Sequence, residues 1–207
     1  MKIQAKLDYF ANPKRKILRF DWAISPFNVY FVKVNLRVKF EIVELDGFSG
    51  VKAKIYSIIP FEGDNLSEDT LFDEFLMQYE DEYLEEVEDI EDALRTMGQN
   101  TGLRGNRVIS AEGEQHGDGI VAICNRPGKL LRLYGIFIGD CLAIIGGGGI
   151  KDGGGALQHY PALRKANDRI KVIKKIIDAA IEQGDIHLTQ NGLESVTDFI
   201  LNGSDYE

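Results

Sequence analysis

Cysteine is nearly missing from this chain: Cys124 and Cys141 are the only two. A tetrahedral thiolate site needs more ligands than that, and both are read as ordinary buried thiols on strands. Histidine is almost as scarce. His116, His159 and His187 stand far apart, with no second histidine or carboxylate at ligand spacing, which argues against a metal centre. A calcium-type aspartate ladder is missing too. Apolar runs fall well short of the ~20 residues that a spanning helix needs, and the opening MKIQAKLDYF lacks the apolar core of a signal peptide. The expectation is a soluble, cytoplasmic protein with no membrane partner, no metal and no cofactor.

Basic residues are absent from one long stretch: between Glu62 and Asp92 there are 15 acids and no Lys or Arg. The overall charge of −9 hides this segregation. Residues 1–60 carry +6, 61–100 carry −14, 101–183 carry +4 and 184–207 carry −5. Two basic stretches are therefore separated by an acidic one, an asymmetry that bears on partners rather than on fold. The acids are read first as a solvated helix face; a phosphate mimic and neutralisation of a basic sheet within the same chain stay open.

With 44% apolar residues, the chain can bury one sizeable core and a small accessory unit. From Val32 to Ile42 apolar residues alternate with polar ones, a strand with one buried face. VKAKIYSII from Val51 makes its hairpin partner, and Phe20, Trp22 and Phe27 are expected to cap the apolar face. Residues 60–65 mark an expected boundary. Ser67 is expected to cap a helix carrying Leu71, Phe72, Phe75, Leu76, Tyr79, Tyr83, Leu84, Val87, Ile90 and Leu94 at helical spacing, either continuous or broken near Glu80–Glu82. Apolar runs at 108–111, 120–124, 130–138 and 141–145, joined by short turns, predict an antiparallel meander. Glycine is abundant in one place, GGGGIKDGGG at 146–155, read as a mobile loop because glycine's backbone entropy opposes regular structure. That run does not satisfy GxxxxGK[ST], so a nucleotide cradle is not expected there. A helix follows from Pro161 to about Gln183 with Leu163, Ile170, Ile173, Ile176, Ile177 and Ala180 on one side and Gly184 as C-cap. The end of the chain reads as a short strand and a small helix, with the last five residues loose.

The order helix, four-stranded antiparallel sheet, lysine-bearing loop, helix resembles the RelE/HigB family of toxin ribonucleases, including phage-derived relatives. The likeness is densest in RPGKLLRLYGIFIGDCLAIIGGGGIK and the helix ANDRIKVIKKIID, and covers roughly Leu71 to Glu182. Arg132 matches the family's strand arginine, Gly139-Asp140 its hairpin, Lys151 its loop lysine, and Ala166 to Arg169 its Ala-x-x-Arg helix pattern. The loop here has one lysine where the family pattern has two. The resemblance implies an α+β fold in which RelE-like helices pack on an antiparallel sheet of about four strands; the first 60 residues have no counterpart in the family and read from their own periodicity as an extra β-rich N-terminal module. The expected division is 1–60 for that module, 66–183 for the RelE/HigB-like domain and 184–207 for the tail.

The resemblance further implies a metal-independent endoribonuclease that cleaves messenger RNA by attack of a ribose 2′-oxygen on the adjacent phosphate. Charge growing on the phosphoryl oxygens calls for fixed cations. Arg132 supplies a planar fork and Lys151 a point charge, with His159 or Tyr160 as general acid or base. Arg126, Lys129, Arg164 and Lys165 are the expected substrate-binding cations. Partners implied are messenger RNA or the ribosome and an antitoxin-like protein; oligomeric state is open. The competing reading is a non-catalytic module that binds protein or nucleic acid through its segregated charge.

Overall fold

A computed structural model describes residues 38–103, 108–109, 120–123, 127–189, 192–196 and 199–206. The aromatic cap expected from Phe20, Trp22 and Phe27, the strand residues 32–37, His116, Cys124 and Arg126 lie outside them. The class is α+β: two long helices and a predominantly antiparallel sheet. The strands are β1 (Lys39–Glu44), β2 (Lys54–Glu62), β3 (Asn65–Leu66), β4 (Val108–Ile109), β5 (Ile120–Ile123), β6 (Leu131–Ile138), β7 (Leu142–Ile150), β8 (Ile186–Thr189), β9 (Gly192–Ser195) and β10 (Ile200–Asn202). The helices are α1 (Leu71–Thr96) and α2 (Pro161–Gln183).

Seven strands run in the order β10-β1-β2-β7-β6-β5-β4, with β3 added against β2, and β8–β9 form a separate hairpin. The meander β4 to β7 is antiparallel throughout. The exception lies at the centre, where β2 and β7 run parallel. β1 and β2 from the N-terminal stretch pair into the meander, and β10 from the tail pairs with β1. A sheet of eight strands replaces the expected four, because an exposed edge of β7 is a row of unpaired backbone groups and β2 satisfies it.

Strand alternation feeds two cores, one on each face of the sheet. Tyr56, Ile58, Tyr134, Ile136 and Ile144 join Leu163, Ile170, Ile173 and Ile177 of α2. Ile55, Leu131, Leu133, Ala143 and Ile145 join Phe72, Phe75, Ile90 and Leu94 of α1. The result is three layers, with α1 and α2 on opposite faces. The apolar spacing carries over in α2, which buries the residues expected of it and ends at Gly184, whose φ of 78° is the left-handed geometry glycine tolerates; in α1 it carries over except at Leu84, which is exposed just past the kink at Tyr83.

Local details depart from the expectations. Thr70, not Ser67, caps α1, because only Thr70 has a carboxylate three residues on: Asp73 N–H donates to its hydroxyl and its own N–H donates to Asp73. Ser67 instead closes the β2–β3 turn through its N–H to Pro60 O. The α1 ladder is continuous but kinked at Tyr83 (φ −130°, ψ 35°), beside the expected break. Cys141 is exposed in the β6–β7 turn rather than buried on a strand. The tail ends in β10 and a 3-10 turn, Gly203–Asp205, rather than a helix, and Tyr206 is held by its hydroxyl donating to Asp185.

The glycine run is the largest correction. Gly146 to Gly149 belong to β7, and the loop begins only at Lys151. A Cβ on Gly146 would meet Ile170 at 2.8 Å, and one on Gly149 would meet Leu163 at 3.2 Å, both from α2. On the other face a Cβ on Gly148 would lie 2.8 Å from Phe75 of α1 and 2.0 Å from the carbonyl oxygen of Arg132. Glycine is present because two helices close on one strand from both sides, and pairing with β6 supplies the order that the residues lack by themselves.

Candidate functional site

The parallel pair β2 and β7 determines where a site can form. Each strand leads into a helix, β2 into α1 on one face and β7 into α2 on the other. Both helix N-termini therefore lie toward the carboxyl end of the central strands, the end at which open α/β sheets bind ligands. Pairing between the two strands covers Lys54–Ser57 and Leu142–Ile145. Past it the first turn of α1 fills the gap: Ser57 Oγ donates to Ile145 O and accepts from Phe72 N–H. Leu71 reaches the α2-side core while Phe72 stays in the other. An ion pair of 3.4 Å between Glu74 and Arg169 links the two helices.

Arg132 stands on β6 directly opposite Gly149. Alternation places it with Tyr134 and Ile136 on the face that α2 covers. It is 8% exposed. Nη1 donates to the carbonyls of Lys129 (2.9 Å) and Leu131 (2.8 Å), but Nε has no partner. Among the described residues no carboxylate forms an ion pair with it. Burial lowers its pKa from the ordinary arginine value, against weaker opposing influences from Tyr134 and Glu86. A buried cation held only by two carbonyls and carrying an idle donor is costly, which makes it a candidate for a ligand.

The remaining expected residues separate into two groups. Lys151 lies next to this arginine in the sheet, since its N–H donates to Leu130 O (2.8 Å) just beyond the Arg132–Gly149 pair. Tyr160 and His159 follow at the entry to α2. Tyr160 packs against the α2-side core and its hydroxyl borders Gly153, while exposed His159 lies against Gly155. The loop from Lys151 to Tyr160 thus folds back over its own glycines. Arg164 and Lys165 are exposed on the first turns of α2, and Arg164 faces Asp168 at 3.6 Å. Lys129 goes elsewhere: it pairs with Asp89 of α1 at 3.0 Å, and that hydrogen bond raises its pKa.

Two further residues were not anticipated. Glu86, in the middle of α1, accepts N–H groups from Leu130 (2.8 and 3.1 Å) and Leu131 (2.8 Å), bracing the start of β6 beside Arg132. Nothing in the sequence marks it among its fourteen acidic neighbours. Asn167 is 3% exposed and its Oδ1 has no partner. Its signal was visible: it is the polar residue inside the Leu163–Ile170 stripe of α2.

At the scale of the whole fold the outer layers differ in charge. α1 carries eleven acids and one base, Arg95; α2 carries six bases and three acids. Among the described residues no group of three or more His, Cys, Asp or Glu side chains is placed to hold a metal ion, and no helix is long and apolar enough to cross a membrane. No family model matches the chain, no curated protein matches it, and no solved structure does.

Proposed function

We propose that this protein is an RNA-binding module whose α2 layer faces the phosphate backbone and whose acidic α1 layer faces away. The observation that carries this reading is the placement of oppositely charged helices on opposite faces of one sheet. A net charge of −9 does not oppose it, because apart from Glu74, which pairs with Arg169, screening limits the reach of the α1 carboxylates to about 8–10 Å at physiological salt. Arg164, Lys165 and Lys175 are exposed on the α2 side and supply point charges that need no base contact.

Single-stranded RNA binding by such a surface falls with salt, with a logarithmic slope of roughly −0.7 per neutralised phosphate. Arg164→Ala/Lys165→Ala/Lys175→Ala is expected to lower affinity and to reduce that slope by about 2, while Glu85→Gln/Glu88→Gln on α1 leaves the slope unchanged. Fluorescence anisotropy of a labelled RNA across a salt series measures both. Binding that is absent at low salt, or equally lost in the α1 variant, would refute the reading.

A second reading has its own observation: Arg132, Lys151, His159 and Tyr160 all attach at one end of the sheet, around the loop after β7. In a RelE/HigB-like endoribonuclease, Arg132 and Lys151 would stabilise charge on the phosphoryl oxygens, and His159 or Tyr160 would transfer the proton of the attacking 2′-hydroxyl. Induced expression of the protein and of its Arg132→Ala/Lys151→Ala variant, with growth and messenger-RNA integrity followed, tests it. Growth arrest with fragmented RNA only for the unaltered protein supports cleavage; intact RNA leaves the binding module.

A further inference from the structure

We infer that the N-terminal end of α2, beside Arg132 in the sheet, holds a single terminal phosphate, a phosphomonoester on an RNA end, rather than a phosphate within the chain. The identity of the carrier rests on the RNA reading above; the phosphate site itself does not.

Three independent features meet there. First, α2 begins without a side-chain cap. Pro161 occupies the first turn and has no N–H, so Ala162 and Leu163 carry the donors at the positive end of a helix of 23 residues. Second, that end sits over Gly149, the neighbour of Arg132 in the sheet. A Cβ on Gly149 would lie 3.4 Å from Leu163 N, and Gly149 is the direct cross-strand partner of Arg132. Arg132 is 8% exposed as a residue, its Nε is buried without a partner, and the bonds from Nη1 to Lys129 O and Leu131 O hold it toward the same end of the sheet. Third, Lys151 leaves β7 two residues beyond Gly149 on the same side, and the loop it opens carries Gly153, Gly154 and Gly155 in succession, where a backbone can approach a ligand closely. Asn167 lies one turn further along the buried stripe of α2. Its Oδ1 is unpartnered as placed, and turning the amide over offers an N–H2 group instead.

The chemical class follows from burial. An internal phosphodiester has a single charge and ester oxygens on two sides, which keep it at a surface. A terminal phosphate has three free oxygens and approaches two negative charges. It can enter end-on between an idle Arg Nε–H and the first N–H groups of a helix, and it supplies the counter-charge that Arg132 lacks. Asp152 is the one acid in the loop and is exposed.

The test uses the full chain. Inorganic phosphate is titrated calorimetrically at constant ionic strength, with chloride as reference, against the unaltered protein, Arg132→Met and Ala162→Glu. Ala162 is exposed, and a carboxylate at that helix position suits the dipole while occupying the anion's place, so this variant stays folded if Arg132→Met does not. Phosphate binding is expected in the unaltered protein and at least tenfold weaker in both variants. An RNA decamer carrying a terminal phosphate is expected to bind at least tenfold tighter than its hydroxyl-ended twin, a difference that Ala162→Glu abolishes. Absence of phosphate binding, or equal binding by Ala162→Glu, overturns the site even if RNA still binds through α2. Phosphate binding without any preference for phosphorylated RNA ends overturns the RNA end as carrier.

Discussion

Replacing Gly148 by alanine is the sharpest test of how the glycine-rich strand is built. A Cβ at Gly148 falls 2.0 Å from Arg132 O and 2.8 Å from Phe75 Cε2. Reaching an ordinary 3.4 Å contact requires β6 and β7 to part by about 1.4 Å at that point. The obstacle is a backbone carbonyl inside a paired ladder, so no rotamer change relieves it. Losing two or three ladder hydrogen bonds at about 1 kcal/mol each, with about 1–2 kcal/mol for pushing Phe75 into a filled core, gives a loss of roughly 3–5 kcal/mol. That is a large fraction of the ~5–15 kcal/mol that holds a typical domain together. Gly147 is the built-in control. Nothing lies within 4 Å of a Cβ there, and its φ is not in the left-handed region. Gly147→Ala is therefore expected to be neutral or to stabilise by about 0.4–1 kcal/mol, by restricting the unfolded chain. Urea unfolding followed by far-UV circular dichroism reads both variants as midpoint shifts at unchanged slope. A Gly148→Ala variant within about 1 kcal/mol of the unaltered protein would refute the strand, since a loose glycine loop tolerates both substitutions alike.

Two other perturbations probe the surroundings of Arg132. Glu86→Gln replaces a carboxylate that accepts N–H groups from Leu130 and Leu131, and is expected to cost about 1.5–3 kcal/mol in urea unfolding; an unchanged midpoint would show that β6 does not depend on this brace. Tyr134 is 1% exposed, and burial pushes its phenol up to about 12, against a smaller lowering by Arg132. Its folded value lies above its unfolded value of 10.0, so its contribution is complete below pH 10 and is lost as pH rises toward 12, amounting to roughly 2–3 kcal/mol. Tyr134→Phe is expected to show a shallower fall in stability over that window, and the same slope as the unaltered protein would refute the assignment.

Part of the candidate site was legible in the residues. Arg132 between two leucines and Lys151 alone among glycines stood out, and the fold brings both to the end of the sheet where α2 starts. Lys129 was equally basic and equally close in sequence, yet it pairs with Asp89, because α1 crosses the opposite face at that point. Its destination depended on which helix covers which face. Glu86 was hidden for a related reason. A carboxylate that accepts three backbone hydrogen bonds looks the same in one dimension as its solvated neighbours, and only the strand brought beside it makes the difference.

The elements that periodicity specifies are those whose stability comes from one amphipathic face. Both long helices, the alternation of β1 and the antiparallel order of β4 to β7 follow from local patterns, since a face of the right period buries itself against whatever is apolar. Long-range pairing decided the rest. The junction of β2 with β7 joins residues nearly ninety positions apart, a register that no local pattern encodes. It joins β1 and β2 to the meander in one sheet and places α1 and α2 on opposite faces. Between those helices the run Gly146 to Gly149 becomes a strand, because close approach from both sides leaves room for backbone and for nothing larger.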